Sequence, residues 1–312
     1  MQPAFIASFP MKKLSIALIG LAMAGPVNAH VLAPKEAGRD VVVLAHRACW
    51  EGGAPEVSVA AIRACDAIQP DMVEIDVRKT RDGQYVLMHD ATVDRMTNGK
   101  GAIADMTAAQ IRALYLRAGD GGPDAPLTSE RVPTLEEGLK AAKGKFLVNL
   151  HLYIAPEPGI AEIVKRLGMA GQVTTWVGGS PEEGGLANFP MRGAVLPIPI
   201  VKECAASADN CKSRSVGSLT GYAPYRPAGF YIIPNGSVSS ETAQDFIRGG
   251  AAAPRPAGTR IMASTLFDVD NLPPEALRAE WRRLIGLGVD MIMTDHPAAL
   301  LDFLRREGSS GN

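Results

Sequence analysis

Apolar residues along the chain fall into short runs rich in β-branched side chains, separated by segments with a helical pattern. The runs at 41–45, 72–77 and 85–88 have the continuous apolar character of strands that are buried on both faces. Further runs of this kind lie at 146–153, 173–177, 194–201, 230–234, 260–265 and 290–294. The intervening pattern predicts helices near 58–67, 105–116, 134–144, 160–167, 241–248, 274–287 and 297–306.

The order of these elements predicts the fold class. The link from Arg78 to Gln84 is too short for a helical crossover, which needs roughly a dozen residues. The run at 85–88 therefore either follows an extended return segment or forms a hairpin with the run before it. Elsewhere the crossovers are mostly helical. The eight runs other than 85–88, connected in this way, predict an α/β protein with a single (β/α)8 barrel of the TIM type.

Polar residues stand where the first three runs end. His46 and Arg47 follow the first run, Glu74 and Asp76 lie within the second, and His89 follows the third. The carboxyl ends of parallel strands are where a βα-barrel holds its catalytic residues. Glu74 and Asp76 are two residues apart, so they share one face of their strand. Two neighbouring carboxylates inside a barrel repel and are costly to desolvate, and a bound divalent cation commonly offsets both effects.

Composition and charge narrow the possible function classes. A single α/β barrel commonly has about 250 residues, so the 312 residues of this chain are enough for one such domain. Apolar residues make up 46% of the chain, which is ample for a large core. The net charge of −1 and the lack of a basic stripe predict that nucleic acid is not a partner.

The amino terminus has the pattern of a signal peptide. Met11-Lys12-Lys13 is a short basic region, and the apolar run at 14–24 is too short to span a bilayer comfortably. Val27-Asn28-Ala29 is a small-residue cleavage site, so we predict removal of residues 1–29, with translation starting at Met1 or at Met11. The barrel domain would then be 30–312, exported to the periplasm or secreted, with no stable membrane insertion. The alternative is an uncleaved membrane anchor.

Export would place the four cysteines in an oxidising compartment. Cys204 and Cys211 bracket a polar stretch, which predicts a loop closed by a disulfide. For the other two cysteines both interpretations stay open. Either Cys49 and Cys65 form a second bridge, or Cys65 is a buried thiol and Cys49 is free, because sequence alone does not fix the connectivity.

Several short motifs follow one another along the chain. They are Ala45-His46-Arg47, Pro55-Glu56, Val73-Glu74-Ile75-Asp76-Val77, Thr80-Arg81-Asp82-Gly83, Val86-Leu87-Met88-His89-Asp90, Asp94–Gly101, Val132–Glu137 and Thr294-Asp295-His296-Pro297. In this order they resemble the glycerophosphodiester phosphodiesterases, most specifically over residues 41–101. The resemblance implies a barrel of the phospholipase C-like phosphodiesterase type. It also implies hydrolysis of a small-molecule glycerophosphodiester with one divalent metal ion, Ca²⁺ or Mg²⁺.

The resemblance also implies roles for individual residues. It places the acid and base on His46 and His89, and metal binding on Glu74 and Asp76. The chemistry of these residue types agrees, because phosphodiester hydrolysis needs a base, an acid and positive charge near the phosphoryl oxygens. In the family pattern the strand at 146–153 carries a metal-binding glutamate and then a phosphate-binding lysine, but here those positions hold other residues.

Asn149, His151 and Tyr153 share one face of the strand at 146–153. His151 is the candidate third metal ligand, and an imidazole ligand would also admit Mn²⁺ or Zn²⁺. The alternative for His151 is a hydrogen-bonded residue of the barrel interior. Tyr153 and Asn149 are candidate substrate-binding residues. The alternative for Tyr153 is that it only packs inside the barrel. The alternative for Asn149 is that it is the third metal ligand, for which it is a weaker candidate than His151.

Three further polar residues are considered for the site. Two of them have two possible roles each, and no role is assigned to the third. Arg47 suits a bidentate grip on a phosphate, or else it orients a carboxylate. Glu56 follows a proline at a helix entrance and is either a metal ligand or an N-terminal cap. We expect His296 to be solvated.

Two other functions remain open beside hydrolysis of a glycerophosphodiester to glycerol phosphate and an alcohol. One is a phospholipase D-like barrel that acts on intact lipid, which would need an exposed apolar or aromatic rim that the sequence does not show. The other is a catalytically silent binding protein of the same fold, suggested by His151 and Tyr153.

Overall fold

The computed structural model describes residues 32–178, 186–203, 216, 218–266 and 269–309. The predicted signal peptide and the Cys204–Cys211 disulfide lie outside these residues. The strands are β1 (Val42–Ala45), β2 (Met72–Lys79), β3 (Tyr85–Leu87), β4 (Tyr115–Arg117), β5 (Leu127–Arg131), β6 (Leu147–Leu152), β7 (Val173–Val177), β8 (Leu196–Lys202), β9 (Gly229–Ile233), β10 (Arg260–Ser264) and β11 (Met291–Thr294).

Helices alternate with most of these strands. They are α1 (Val59–Ile68), α2 (Ala108–Arg112), α3 (Leu135–Ala142), α4 (Pro158–Arg166), α5 (Glu241–Ala252), α6 (Pro274–Gly286) and α7 (Pro297–Ser309). Capping residues determine where several of these helices begin. Thr134 accepts a hydrogen bond from the Glu137 N–H, and the Glu137 carboxylate accepts one in return from the Thr134 N–H. Within the described ranges, no helix is both long and apolar enough to cross a membrane.

Eight parallel strands close into a barrel. Going round it, β1 is followed by β2, β6, β7, β8, β9, β10 and β11, and β11 pairs again with β1. The sheet therefore has no free edge among these eight strands. Helices flank the outside, and the predicted (β/α)8 barrel is confirmed.

The run at 85–88 is not a barrel strand, because β3 pairs with β2 in antiparallel orientation. The turn is tight: the Thr80 N–H donates to the Gln84 carbonyl, and Gly83 has a φ of 78°, which favours glycine. Of the two alternatives that the short link left open, the hairpin is confirmed by this pairing. The next barrel strand after β2 is β6, so the polar faces of β2 and β6 are neighbours.

The segment between β3 and α3 differs from the predicted helix near 105–116. Helix α2 is short, with Thr107 as its cap and Gln110 completing a capping box. Residues 115–117 instead form β4, which pairs with β5 in a separate two-stranded sheet. The helical pattern in the sequence was misleading because the apolar residues of this segment, among them Ile111 and Leu116, pack in a small core of their own.

Apolar residues pack on both faces of the barrel wall, one cluster outside it and one inside it. Val73, Ile75 and Val77 lie on the outer face of β2 and pack in the core shared with the helices, as the alternation along the strand predicted. Leu44 and Met72 belong to a second cluster of residues from the strands that fills the inside of the barrel. Glu74 and Asp76 alternate with the outer residues, so they lie on the inner side, above this apolar plug.

Cys49 and Cys65 form a disulfide, with their Cα atoms 5.2 Å apart. Of the two interpretations left open by the sequence, the structure contains the bridge. It ties α1 to the loop that follows β1, where Arg47 and Ala48 both have a positive φ. Closing a loop of this length typically stabilises a fold by about 3 kcal/mol, mainly by restricting the unfolded chain.

Candidate active site

Three potential metal ligands converge at the carboxyl ends of β2 and β6. In the parallel register Glu74 lies beside Asn149 and Asp76 lies beside His151. One ligand atom from each of Glu74, Asp76 and His151 lies within 4.8 Å of the others. The structure therefore brings together the two carboxylates and the imidazole that the sequence analysis assigned to a metal.

The carboxylates of this group are buried without full compensation. Glu74 and Asp76 are both 0% exposed, and burial together with the neighbouring charge of Asp76 raises the pKa of Glu74 well above its ordinary value. Glu74 Oε2 accepts a hydrogen bond from the Arg47 N–H, but Glu74 Oε1 and both oxygens of Asp76 have no hydrogen-bond partner. Leaving such atoms unpaired is costly, so the site needs a positive group.

The arrangement of His151 fits a shared cation better than a hydrogen bond. Its Nδ1 lies 2.9 Å from Asp76 Oδ1 and 3.8 Å from Glu74 Oε1, yet Asp76 Oδ1 makes no hydrogen bond. Nitrogen and oxygen atoms at such short range without hydrogen-bond geometry are placed as two ligands of one ion would be. The donor set of two carboxylates and one imidazole fits a divalent metal such as Mn²⁺, Zn²⁺, Mg²⁺ or Ca²⁺.

His46 is oriented by a carboxylate. Its Nδ1 lies 2.8 Å from Asp295 Oδ1, and the Asp295 N–H donates to Asp270 Oδ2 at 2.8 Å. The Thr294 hydroxyl also donates to Asp270, at 2.9 Å, which fixes the end of β11. Because Nδ1 faces a carboxylate, Nε2 is the ring nitrogen of His46 that is left for a reacting group.

His89 has the same local geometry. Its Nδ1 lies 2.6 Å from Asp90 Oδ1, so its Nε2 is likewise left for a reacting group. Arg95 donates to both oxygens of Asp90 at 2.8 Å. The hydrogen bonds from Arg95 and from His89 hold the pKa of Asp90 below its ordinary range, even though burial opposes the shift. Asp90 therefore stays ionised and keeps the His89 ring in place.

Arg47 links the histidine loop to the carboxylates. Its Nη1 donates to Glu56 Oε2 at 2.8 Å, and its Nε lies 3.9 Å from Asp76 Oδ2. Burial lowers the pKa of Arg47, but the charge and hydrogen bond of Glu56 outweigh burial and raise it. Of the two roles considered for Arg47, these contacts support the one in which it orients a carboxylate. Its Nη2 has no partner in the described part of the chain.

Glu56 lies between two arginines. Besides Arg47, it accepts a hydrogen bond from Arg95 Nη2 at 2.6 Å on Oε1, and it is 3% exposed. The cap interpretation is wrong, because Ser58 caps α1 by accepting from the Ala61 N–H. The structure gives Glu56 two cations as partners, and it lies outside the group formed by the three potential ligands. Its assignment as a ligand stays a prediction.

The two substrate-binding candidates of β6 differ in their surroundings. Asn149 is 0% exposed, its Oδ1 accepts from the Thr174 hydroxyl at 2.8 Å, and its Nδ2 has no partner. The ring of Tyr153 is 4.4 Å from that of His151, measured between centroids. Burial, followed by the charges of Asp76 and Glu74, raises the pKa of Tyr153, so its hydroxyl is protonated at neutral pH.

Four residues of this site had no role in the sequence analysis: Asp90, Asp295, Arg95 and Arg78. The first three were inside the quoted motifs, and an acid directly after His89 was a usable signal for the orienting carboxylate. Asp295 pairs with a histidine 249 positions away, so nothing local could indicate it. His296, which was expected to be solvated, has 32% of its side chain exposed, and its ring nitrogens also bond to Glu51 and, at 2.8 Å, to the Asp270 carbonyl.

Comparison with known proteins gives a consistent result. The model of the Glycerophosphoryl diester phosphodiesterase family matches residues 46–172. Over 271 residues the chain is 28% identical to a glycerophosphodiester phosphodiesterase of Caldanaerobacter subterraneus subsp. tengcongensis, covering 86% of this chain and 99% of that protein. A glycerophosphoryl diester phosphodiesterase structure from Parabacteroides distasonis aligns with a TM-score of 0.66 at 23% identity, over 89% of this chain and 91% of that one.

A second solved structure shares the same fold. It is an Oleispira antarctica phosphodiesterase in complex with the product sn-glycerol-3-phosphate, with a TM-score of 0.56 at 22% identity, over 85% of this chain and 96% of that one. The region matched by the family includes His46, Glu74, Asp76, His89 and His151. The chain is therefore similar to the glycerophosphoryl diester phosphodiesterase family over residues 46–172, and to one glycerophosphodiester phosphodiesterase over most of its length.

Proposed function

We propose that this phosphoric diester hydrolase cleaves glycerophosphodiesters to glycerol phosphate and an alcohol, with a divalent metal ion held by Glu74, Asp76 and His151. The observation that carries the metal assignment is the group of buried carboxylate oxygens without hydrogen bonds beside His151. A divalent ion bound there would neutralise negative charge on the phosphoryl oxygens. Similarity to glycerophosphodiester phosphodiesterases supports the substrate class.

The proposed proton transfers use the two oriented histidines. One of His46 and His89 takes the proton from a glycerol hydroxyl as that oxygen attacks phosphorus, and the other protonates the leaving alkoxide as its P–O bond breaks. The product of this step is a cyclic phosphate. Water then opens the ring, and the two histidines exchange roles. Support comes from the carboxylate at Nδ1 of each ring, which leaves Nε2 for these transfers.

Arg47 is proposed to bind the phosphoryl group through Nη2, which contacts no carboxylate among the described residues. Its other contacts hold it rigidly, because its N–H donates to Glu74 and its Nη1 donates to Glu56. A preorganised cation of this kind loses little freedom when a substrate binds. Tyr153 and Asn149 are also proposed to contact the small-molecule substrate.

His151→Glu is expected to change the metal preference of the site. A carboxylate in place of the imidazole adds one negative charge and a hard oxygen ligand, which Ca²⁺ and Mg²⁺ prefer. We expect the affinity ratio of Ca²⁺ to Zn²⁺ to rise by roughly tenfold or more, measured by titration calorimetry on metal-free protein. An unchanged order of affinities would show that His151 is not a ligand and that the third ligand, such as Glu56, lies elsewhere.

The substrate class is tested by product analysis with two lipids. Purified protein with added metal is incubated with glycerophosphocholine and, separately, with lysophosphatidylcholine. We expect glycerol phosphate and choline from the first and no comparable turnover of the second. Preferential cleavage of the intact lysolipid would favour the phospholipase D-like alternative. Absence of turnover with every metal and both substrates would favour the catalytically silent binding protein.

We further propose that the protein is exported and that residues 1–29 are removed. The basic region followed by a short apolar run supports this, and so does the bridge between Cys49 and Cys65, since disulfides persist in oxidising compartments. We expect protein from the exported fraction to begin at His30 by intact-mass measurement. A mass that retains the apolar run would instead indicate the membrane-anchor alternative.

The same exported protein tests both cysteine pairs. Non-reducing peptide mapping is expected to recover Cys49 linked to Cys65 and Cys204 linked to Cys211. Reduced protein from a cytoplasmic preparation is the control. If Cys204 and Cys211 are both free thiols after oxidative expression, the second bridge does not exist.

A further inference from the structure

Arg78 continues the row of inward-facing charged residues on β2. Residues 74, 76 and 78 alternate along the strand, so Arg78 shares the face of Glu74 and Asp76 one step nearer the barrel mouth. The neighbouring residue Lys79 points the other way and pairs with Glu157 at 2.7 Å. Arg78 contacts the ring of Tyr153, which lies just after the neighbouring strand β6, two residues beyond His151.

Arg78 has no carboxylate partner, unlike the other two arginines of the site. Arg47 pairs with Glu56, and Arg95 pairs with Glu56 and Asp90. No carboxylate in the described ranges lies within 4.0 Å of Arg78. Burial lowers its pKa, although the charges of nearby groups, Asp76 among them, oppose that shift. Arg78 is thus a partly buried cation whose charge is not neutralised by direct contact.

Two contacts hold the Arg78 guanidinium in one orientation. Its Nε and Nη2 both donate to the His89 carbonyl, at 2.8 and 2.5 Å. Its Cζ lies 4.0 Å from the centroid of the Tyr153 ring, a cation–π contact. The guanidinium is planar, so engagement of its Nε–Nη2 edge leaves Nη1 directed away from the carbonyl. Nη1 has no partner among the described residues.

We propose that Arg78 is a second phosphate-binding residue of this site and that Tyr153 acts through it as a positioning residue. This inference rests on the proposed function. The negatively charged phosphodiester would supply the anion that Arg78 lacks, through Nη1. The same contact would couple substrate binding to the His89 backbone. The proposal also gives Tyr153 a role, because its ring holds the guanidinium while leaving the charge unneutralised.

The test is direct binding of sn-glycerol 3-phosphate and of inorganic phosphate by titration calorimetry. For Arg78→Gln we expect affinity for both anions to fall about tenfold to a hundredfold, because a charge-assisted hydrogen bond is lost. Arg78→Lys, which keeps the charge but loses the planar fork, should fall less. Arg63→Gln, an exposed arginine on α1, removes the same charge and should bind as the wild type does.

Tyr153→Leu supplies the second arm. We expect a smaller loss of phosphate affinity than for Arg78→Gln, and no additional loss when the two substitutions are combined. A KM increase that exceeds the fall in kcat should accompany each change. Unchanged anion affinity in folded Arg78→Gln or Arg78→Lys, with only kcat reduced, would overturn the proposal and leave Arg78 as a support for His89. Lack of turnover by the wild type would contradict the proposed function instead.

Discussion

Asp76→Asn and Glu74→Gln should each remove turnover while the protein stays folded. Both carboxylates are buried ligand candidates, and loss of either charge weakens the hold on a cation that would offset several kcal/mol of phosphoryl charge in the transition state. Metal affinity of the chelator-treated protein, measured by calorimetry, should fall together with activity. Glu162→Gln, at an exposed position of α4, is the matched control and should retain both properties.

The same variants, although they lose turnover, should make the metal-free fold more stable. Removing one of two neighbouring buried charges relieves repulsion and desolvation, so Asp76→Asn should raise the Tm of metal-free protein. In a protein of this size each 1 kcal/mol corresponds to a shift of about 2–4 °C. Added metal should raise the Tm of the wild type and leave that of the variant unchanged. A metal-dependent rise in both would place the ion elsewhere.

Removal of His46 or His89 should cost roughly 10² to 10⁴ in kcat, because each supplies one of the two proton transfers. The wild-type pH profile is expected to be bell-shaped, because one histidine must accept a proton while the other donates one. His89→Ala and His46→Ala should each lose one limb of the bell. Wild-type kcat in His89→Ala would show that the acid–base assignment is wrong.

His296 provides the control for this experiment. Its hydrogen bond with Glu51 raises its pKa to about 9, against an ordinary value of 6.5, although burial opposes the shift. A raised histidine pKa stabilises the fold fully below about pH 6.5, and this stabilisation is lost as the pH rises through about 9. His296→Gln should therefore lower the Tm below pH 9 and leave the bell-shaped activity profile in place.

The barrel and most of the site could be predicted because their signals are local. Continuous apolar runs such as Val41–Ala45 are typical of buried parallel strands, and the spacing of Glu74 and Asp76 fixes their shared face. His151 was assigned because the family resemblance implies a metal ligand on this strand, and the alternation along the strand places it on one face with Asn149 and Tyr153. The register between β2 and β6 then places it beside Asp76, because both strands end at the same edge of the barrel.

The connections between distant residues could not be predicted in this way. The chain Asp90–Arg95–Glu56–Arg47 joins His89 to the buried carboxylates of β2 through three ion pairs. None of these pairs follows from spacing, because the loop after β3 folds back on itself before the barrel continues. Glu56 shows the consequence: its carboxylate type suggested a ligand, while its two arginine partners appear only in the structure.

Metal-dependent hydrolysis at Glu74, Asp76 and His151 can be tested by a metal titration with glycerophosphocholine as substrate. Protein freed of metal with chelator is assayed for release of glycerol phosphate, alone and with each divalent ion in turn, beside Asp76→Asn. We expect no release without metal, full recovery of the wild type on addition of the preferred ion, and no recovery of the variant. Full turnover of the wild type in chelator would contradict the assignment.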